Sequence, residues 1–532
     1  MEGNSRPPSA SSTPPAPRLG AWNFYFLAKF LLFWRELIGL HPLENLAFAA
    51  LLLIPLRSAG QRLLRNVLAV PAAVTLLYYD SWLPPAARLF SQAHLLSHFS
   101  PAYLFELAGR FVSWPVVAAL IVLGVSYAAV ARYLRVGVLV IGALVAMLPF
   151  HDPERIPGTV SASASGGPNA ANLDMVLQAF HANESRRGIT FIKPDAAAPP
   201  FDLLFIHACS LSWDDLEAVG MDKHPLWQNF DIVLRRFNSA ASYSGPAAIR
   251  FLRATCGQQA HSQLYSPAPE NCYLMPSLEQ AGFETSLAFN HDGHFDDFLS
   301  FVRQQGITAV PLPLAGIAAP LRAFDDSAIH DDLAVLSRWL ELRRTMPAPR
   351  VAAYYNTVSL HDGNRPQGSP PGPGSLDTYK TRLLKFLDDI DGFIGQVERA
   401  GRRVVIVLVP EHGAAIRGDK MQIAGLREIA TPAITQVPVG IRVVGPEVRR
   451  TGGRLDITDS VSYLALSHIV ARMLEKPPYG ADGFSPKDVA AGLPITEFVA
   501  ENNQSVMLRH GDRYFLRPDD KAGWKEYAAA AR

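Results

Sequence analysis

Residues 402–419 read RRVVIVLVPEHGAAIRGD, with six consecutive apolar residues followed by Pro410, Glu411, His412 and Gly413. A buried strand that ends in a carboxylate and an imidazole carries groups able to bind a metal or move a proton. Three other stretches end in the same way. FDLLFIHACSLSWDD brings His207 and Cys209, SLAFNHDGHFDD brings His291, Asp292 and His294, and YYNTVSLHDGN brings His361 and Asp362. One strand-end histidine alone is more often a hydrogen-bonded structural residue. Four such ends on one sheet would converge in space and argue for a site.

A fifth stretch, NSAASYSGPAAIRFLRATCG, sets Ser244 just ahead of Pro246, which is suited to the first turn of a helix. The backbone N–H groups and dipole of a helix N-terminus favour an anion such as a phosphate. A capping role for Ser242 or Ser244 fits the same residues. Cys209, Glu411 and His412 offer S, O and N donors, and three protein ligands plus one oxygen make a four-coordinate zinc site. The thiolate favours zinc over magnesium or calcium. With the Ser244 hydroxyl as fourth ligand, zinc would turn it into a nucleophile. Cys256 and Cys272 enclose a short loop that an oxidising compartment would let close as a disulfide, which leaves Cys209 over.

The elements that must position these residues alternate along the second half. Segments 201–207, 285–291, 350–360, 403–409 and 437–444 read as buried strands. Between them lie helical stretches. The clearest is 379–400, where Leu383, Leu387, Ile390, Ile394 and Val397 line one face and Gly401 follows as a stop. This pattern predicts an α/β domain with a mainly parallel central sheet, whose ligands bind beyond the carboxyl ends of the strands. That domain is expected over 172–532, after a flexible linker at 151–171.

The first half differs. The chain is 49% hydrophobic and only 18% charged, with a net charge of +1 that gives no basic field for nucleic acid. Apolar segments at 19–34, 37–56, 67–83, 112–131 and 136–150 predict a membrane domain of about five transmembrane helices over 19–150. The uncharged VSWPVVAALIVLGVSYAAVA is the clearest of them. Residues 1–18 read as a disordered tail. With five spans, Arg6, Arg18, Arg57, Arg62, Arg65, Arg132 and Arg135 share one side, which should be cytoplasmic, against Arg35, Arg88 and Arg110 on the other. Everything after Phe150 would then lie outside, in the periplasm of a bacterium.

CSLSWDD, SYSGPAAIRFLRATCGQ, FNHDGHFDDF, SLHDGN and PEHGAAIRGDK occur in an order that resembles the BcsG family, the membrane-anchored phosphoethanolamine transferases of bacterial cellulose systems. The resemblance covers essentially the whole chain apart from the N-terminal tail. It implies an alkaline-phosphatase-like α/β/α domain in the periplasm, anchored in the inner membrane. It implies transfer of phosphoethanolamine from phosphatidylethanolamine to the glucose C6 hydroxyl of cellulose, beside partner subunits of the cellulose synthase complex. Carried over by motif, Ser244 is the nucleophile, and Cys209, Ser244, Glu411 and His412 bind zinc. Tyr243, His361 and Arg427 position substrate, with His361 exchanging a proton, and Cys256 pairs with Cys272. Two rival readings stay open on the residues alone. One is a metal-dependent phosphatase or sulfatase with a second metal held by His291, Asp292, His294 and His361. The other is a non-catalytic membrane scaffold.

Overall fold

The computed structural model describes residues 19–35, 37–56, 58–81, 98–110, 112–150, 159–161, 170–368, 374–419, 421–446, 448–503, 505–519 and 522–527. The tail expected at 1–18 lies outside them. The chain forms two compact units. One comprises Met1–Gln92 and Phe111–Pro157, the other Ala93–Arg110 and Gly158–Arg532.

Each of the five apolar segments of the first unit carries a helix: Trp22–Trp34, Pro42–Leu53, Ala59–Asp80, Trp114–Val130 and Val136–Met147. Among the described residues no single helix is both long and apolar enough to cross a membrane. The unit nevertheless exposes much apolar surface. Trp114–Val130 buries none of its residues, and Ile121, Val122 and Val125 are all exposed. Two charged residues that interrupt the apolar runs meet each other. Lys29 and Asp80 form a buried ion pair. Asn45 bridges it, accepting from Lys29 Nζ at 2.7 Å and donating to Asp80 Oδ2 at 2.9 Å. One helix thus contributes the cation, a second the amide and a third the anion.

The second unit is built on a seven-stranded sheet. Its order is Leu455–Ile457, Ile232–Asn238, Gln436–Val444, Val404–His412, Asp202–Cys209, Val351–Thr357 and Glu284–Phe289. Only Gln436–Val444 runs against its neighbours. The sheet is therefore mainly parallel, as predicted, with one reversed strand. Every residue of Asp202–Cys209, Val351–Thr357 and Val404–His412 is buried, which explains their unbroken apolar runs. Leu203, Phe205, Val405 and Val407 pack with the helices Ser244–Leu252 and Tyr463–Glu475. Leu204, Ile206, Ile406 and Leu408 pack with Asp332–Arg343 and Ser375–Arg399. The result is an α/β/α sandwich with two hydrophobic cores.

Three features of the fold go beyond the sequence reading. Strands Ile232–Asn238 and Leu455–Ile457 were not foreseen, because two arginines interrupt the first and the second is three residues long. The C-terminal region adds a separate antiparallel sheet, ordered Thr159–Ser161, Lys525–Tyr527, Arg513–Arg517, Val506–His510 and Val499–Glu501. The expected linker at 151–171 thus contains an edge strand, paired to Lys525–Tyr527 through backbone hydrogen bonds that composition does not reveal. Finally, Ala93–Arg110, expected within the membrane domain, belongs to the second unit.

Asp80→Ala leaves Lys29 buried without its anion and should destabilise the first unit by about 3 kcal/mol or more. Thermal unfolding of the purified full chain measures this. The Lys29→Met, Asp80→Leu double variant, which removes both charges, should recover most of the loss.

Candidate metal centre and active site

A regular strand sends neighbouring side chains to opposite faces. Glu411 and His412 avoid this through a shift in pairing: Ala208 lies opposite Pro410, but Cys209 lies opposite His412. The extra residue is a β-bulge, which re-aims side chains. The strand continues through Pro410 to His412 rather than stopping at the proline as expected. Gly413 follows His412 directly. A Cβ there would overlap Ser212 and Asp215, so the glycine makes room for a neighbouring helix start and not for a metal. In that start, Ser212 and Asp215 form a capping box. Asp215 Oδ2 also accepts from the Ala414 N–H at 2.7 Å, which fixes the chain just beyond the ligands.

Cys209, Glu411 and His412 are fully buried, and their ligand atoms all lie within 4.8 Å of one another. Ser244 joins them. Its Oγ donates to Cys209 Sγ at 3.3 Å and stands 3.5 Å from His412 Nε2. Ser244 itself opens the helix Ser244–Leu252, with Pro246 in the first turn as expected. No side chain caps that helix, which answers the capping alternative. Ser242 instead donates to the Arg427 carbonyl at 2.5 Å.

The site fits a zinc ion. Glu411 Oε2 is buried without a hydrogen-bond partner, and the thiol, carboxylate, imidazole and hydroxyl make up a zinc donor set. Without a cation these groups resist charge: burial pushes the Cys209 thiol up to about 12 and the Glu411 carboxyl up to about 7. A divalent cation reverses that preference. His412 Nδ1–H donates to the Gly413 carbonyl at 2.9 Å, which leaves Nε2 free toward the cluster.

Behind the donors stands a layer that the sequence did not disclose. Asn356 Nδ2 donates to Glu411 Oε1 at 2.6 Å and to the His207 carbonyl at 3.1 Å. The Gly293 N–H donates to His291 Nδ1 at 3.0 Å, so His291 Nε2–H donates to Asn356 Oδ1 at 2.8 Å. His291 therefore orients Asn356 and is not a ligand. His207 is also behind the site, its Nδ1 3.5 Å from Glu411 Oε1 and 3.0 Å from Tyr354 Oη. A polar residue at the end of the apolar strand VAAYYNT was the available signal for Asn356.

Of the substrate-positioning candidates, Arg427 is buried rather than at the surface. It donates from Nη1 to Ser210 Oγ at 3.1 Å, and its guanidinium carbon lies 5.9 Å from the centre of the Tyr243 ring. Its Nε has no hydrogen-bond partner. Tyr243 precedes Ser244 and donates to Glu428 Oε1 at 2.7 Å. His361 lies on a loop tied to the ligands by the bond from Leu360 N–H to the Cys209 carbonyl at 3.2 Å. Its Nδ1–H donates to the Asp362 carbonyl at 2.6 Å. Burial, assisted by the charge of Arg427, lowers its pKa to about 4, so it is a neutral acceptor near pH 7. Asp292 Oδ1 accepts from the His294 N–H within its own turn, and Asp362 pairs with Arg110. Among the described residues only Cys209, Glu411 and His412 form a group of metal-binding type, so the four residues considered for a second metal do not come together as one. Tyr354 and Tyr355 are core residues, and the guanidinium of Arg235 lies 4.6 Å from the Trp213 ring centre. Cys256 and Cys272 are disulfide-bonded, and Cys209 is the free cysteine.

Together the fold and site define an α/β/α protein in which a helix-N-terminal serine stands inside a buried cluster of metal-binding donors. Two family models extend over most of the chain. The BcsG C-terminal domain of cellulose biosynthesis proteins matches residues 159–524, and the BcsG N-terminal domain matches 22–149. The chain belongs to the BcsG family. Its relatives include the cellulose biosynthesis protein BcsG of Escherichia coli (strain K12), 39% identical over 94% of each chain. The BcsG of Salmonella typhimurium (strain LT2) is 38% identical over the same shares. Similar solved structures include the periplasmic domain of Escherichia coli EptC in complex with zinc. It is 17% identical, with a TM-score of 0.45 over 64% of this chain and 96% of that one. Another is the integral membrane lipooligosaccharide phosphoethanolamine transferase A of Neisseria meningitidis, 13% identical, with a TM-score of 0.43 over 85% and 95%.

Asn356→Ala should weaken zinc binding by about 10- to 100-fold, read by competition with a chelator. His361 yields a pH signature. An unfolded imidazole takes its proton near the ordinary 6.5, while the folded one waits until about 4. Its contribution to stability is therefore complete above pH 6.5 and lost as pH falls to about 4. In urea unfolding across that window, His361→Gln should flatten the dependence.

Proposed function

We propose that this chain is a zinc-dependent phosphoethanolamine transferase of the inner membrane that modifies cellulose. The observation that carries the reading is the position of Ser244 Oγ, 3.3 Å from Cys209 Sγ and 3.5 Å from His412 Nε2 at a helix N-terminus. The name of the relatives, cellulose biosynthesis protein, supports the acceptor. Cys209, Glu411, His412 and Ser244 would hold the zinc. When bound, zinc supplies positive charge that lowers the pKa of a hydroxyl and offsets the charge of a phosphate.

In the first step Ser244 Oγ attacks the phosphorus of phosphatidylethanolamine. The bond to the glycerol oxygen breaks, and diacylglycerol leaves with a proton. The phosphoethanolamine group then rests on Ser244, where the helix N-terminus and Arg427 hold its oxygens. In the second step a glucose C6 hydroxyl attacks, the bond from phosphorus to Ser244 Oγ breaks, and neutral His361 takes the hydroxyl proton. Most of the acceleration comes from positioning and charge.

The arginine distribution supports a cytoplasmic N-terminus and a membrane domain within 19–150 that leaves out Ala93–Arg110, and the name of the relatives supports a place beside the cellulose synthase complex. The Cys256–Cys272 disulfide supports a periplasmic catalytic domain.

Intact mass of the purified full chain, incubated with zinc and phosphatidylethanolamine, tests the reading. One phosphoethanolamine added to the wild type and none to Ser244→Ala is the expected result. No adduct with the lipid unconsumed overturns the donor. Lipid consumed without an adduct, while free phosphoethanolamine accumulates, turns the reading to a hydrolase.

A further inference from the structure

The second unit takes in Ala93–Arg110, a piece of chain that falls between two parts of the first. Its helix, Pro101–Arg110, is short and carries Tyr103, Glu106 and Arg110, and it meets the loop that carries His361. Arg110 grips Asp362 with two bonds, Nη1 to Oδ2 and Nη2 to Oδ1, each 2.7 Å. Tyr103 Oη donates to the same Oδ2 at 3.0 Å. Glu106 Oε1 accepts from the Ser375 N–H at 2.8 Å, which ties the start of helix Ser375–Arg399 to the same helix. Burial would raise the Asp362 carboxyl, but the bonds and charge of Arg110, then Ser375 and the field of Arg427, hold it below the usual carboxylate range.

The surrounding sequence is cut to fit this helix. Gly363 and Gly425 both have left-handed backbone, φ +83° and +81°, and a Cβ at either would overlap Tyr103 or Arg110 respectively. Each glycine lies two residues from a substrate-positioning candidate, Gly363 from His361 and Gly425 from Arg427. A second route runs through rings. The Tyr103 ring lies tilted against that of Phe324 at 5.9 Å, and the Phe324 ring lies 5.1 Å from that of His361. The His361 imidazole is itself held by the Asp362 carbonyl. The group that orients His361 therefore belongs to the residue that Arg110 clamps.

We propose that Arg110, assisted by Tyr103, is a positioning residue for the second transfer step, acting on His361 through Asp362. The proposal rests on the transferase reading above. It separates the two half-reactions, since His361 serves the acceptor hydroxyl while Ser244 loading depends on the metal donors.

The test uses the full chain with zinc and follows adduct formation on Ser244 apart from its transfer to a cello-oligosaccharide. Arg110→Ala should load Ser244 at close to the wild-type rate and transfer about 100-fold more slowly, the scale of a misplaced reacting group. Arg110→Lys, which keeps the charge, should recover part of the loss. Adding Arg110→Ala to Asp362→Asn should slow transfer no further than the slower single variant, because both act through one contact. Amide exchange in Arg110→Ala should quicken over 358–364 and stay unchanged over 404–412. Equal losses in loading and transfer, or lost zinc, would make Arg110 merely structural and overturn the proposal. Unchanged exchange over 358–364 would overturn it as well. If the wild type takes no adduct at all, the transferase reading fails, and the exchange comparison alone decides whether Arg110 holds the loop.

Discussion

Adjacent residues on a strand face opposite ways, and this site needs two adjacent residues, Glu411 and His412, at a single point. The one-residue shift between Asp202–Cys209 and Val404–His412 resolves that conflict, and the rest of the site is arranged around it. The bulge aligns His412 with Cys209, so a thiol from one central strand meets an imidazole from the next. Ser244 arrives from outside the sheet, on a helix packed over one face, and completes the cluster without joining the ladder.

A bulge alone would leave the donors loose. Their rigidity comes from bonds that each use up a specific polar group. The Gly413 carbonyl fixes the His412 tautomer, and Asn356 fixes one Glu411 oxygen while leaving the other without a partner. His291 fixes the Asn356 amide, and the Gly293 amide fixes His291. Such outer bonds set ligand direction and basicity. The same order extends to the loop of His361, which Arg382 holds by the Ser359 carbonyl at 2.7 Å and Asn290 holds by the Val358 N–H at 3.0 Å.

Much of this arrangement was legible in the sequence because it follows from local pattern. Fully buried strands leave unbroken apolar runs, so Asp202–Cys209, Val351–Thr357 and Val404–His412 could be found and their ends searched for chemistry. The donors Cys209, Glu411 and His412 stand at those ends, and Ser244 is marked instead by Pro246 at a helix start. What was missed depends on pairing between distant segments. The reversed direction of Gln436–Val444 leaves no trace in composition, and neither does the pairing of Thr159–Ser161 with the C-terminus. Asn356 and His291 had visible signals, a polar residue in an apolar strand and a histidine after one, but their partnership is a matter of space. The placement of Pro101–Arg110 was hidden for the same reason, since an amphipathic ten-residue helix between apolar segments does not say what it packs against.

That helix has a consequence for how the chain matures. Arg110 and Asp362 are 252 residues apart. During synthesis the helix is made long before the sheet whose loop it meets, and it must wait while most of its own unit is still to be translated. Contacts of such separation form late and slowly, because the loop-closure entropy must be overcome first. The central sheet, its two helical layers and the metal donors can assemble from continuous sequence after residue 158. The His361 loop and the start of helix Ser375–Arg399 both need a partner from Ala93–Arg110. The clamp on the Asp362 carboxylate therefore cannot close until translation has passed well beyond that residue.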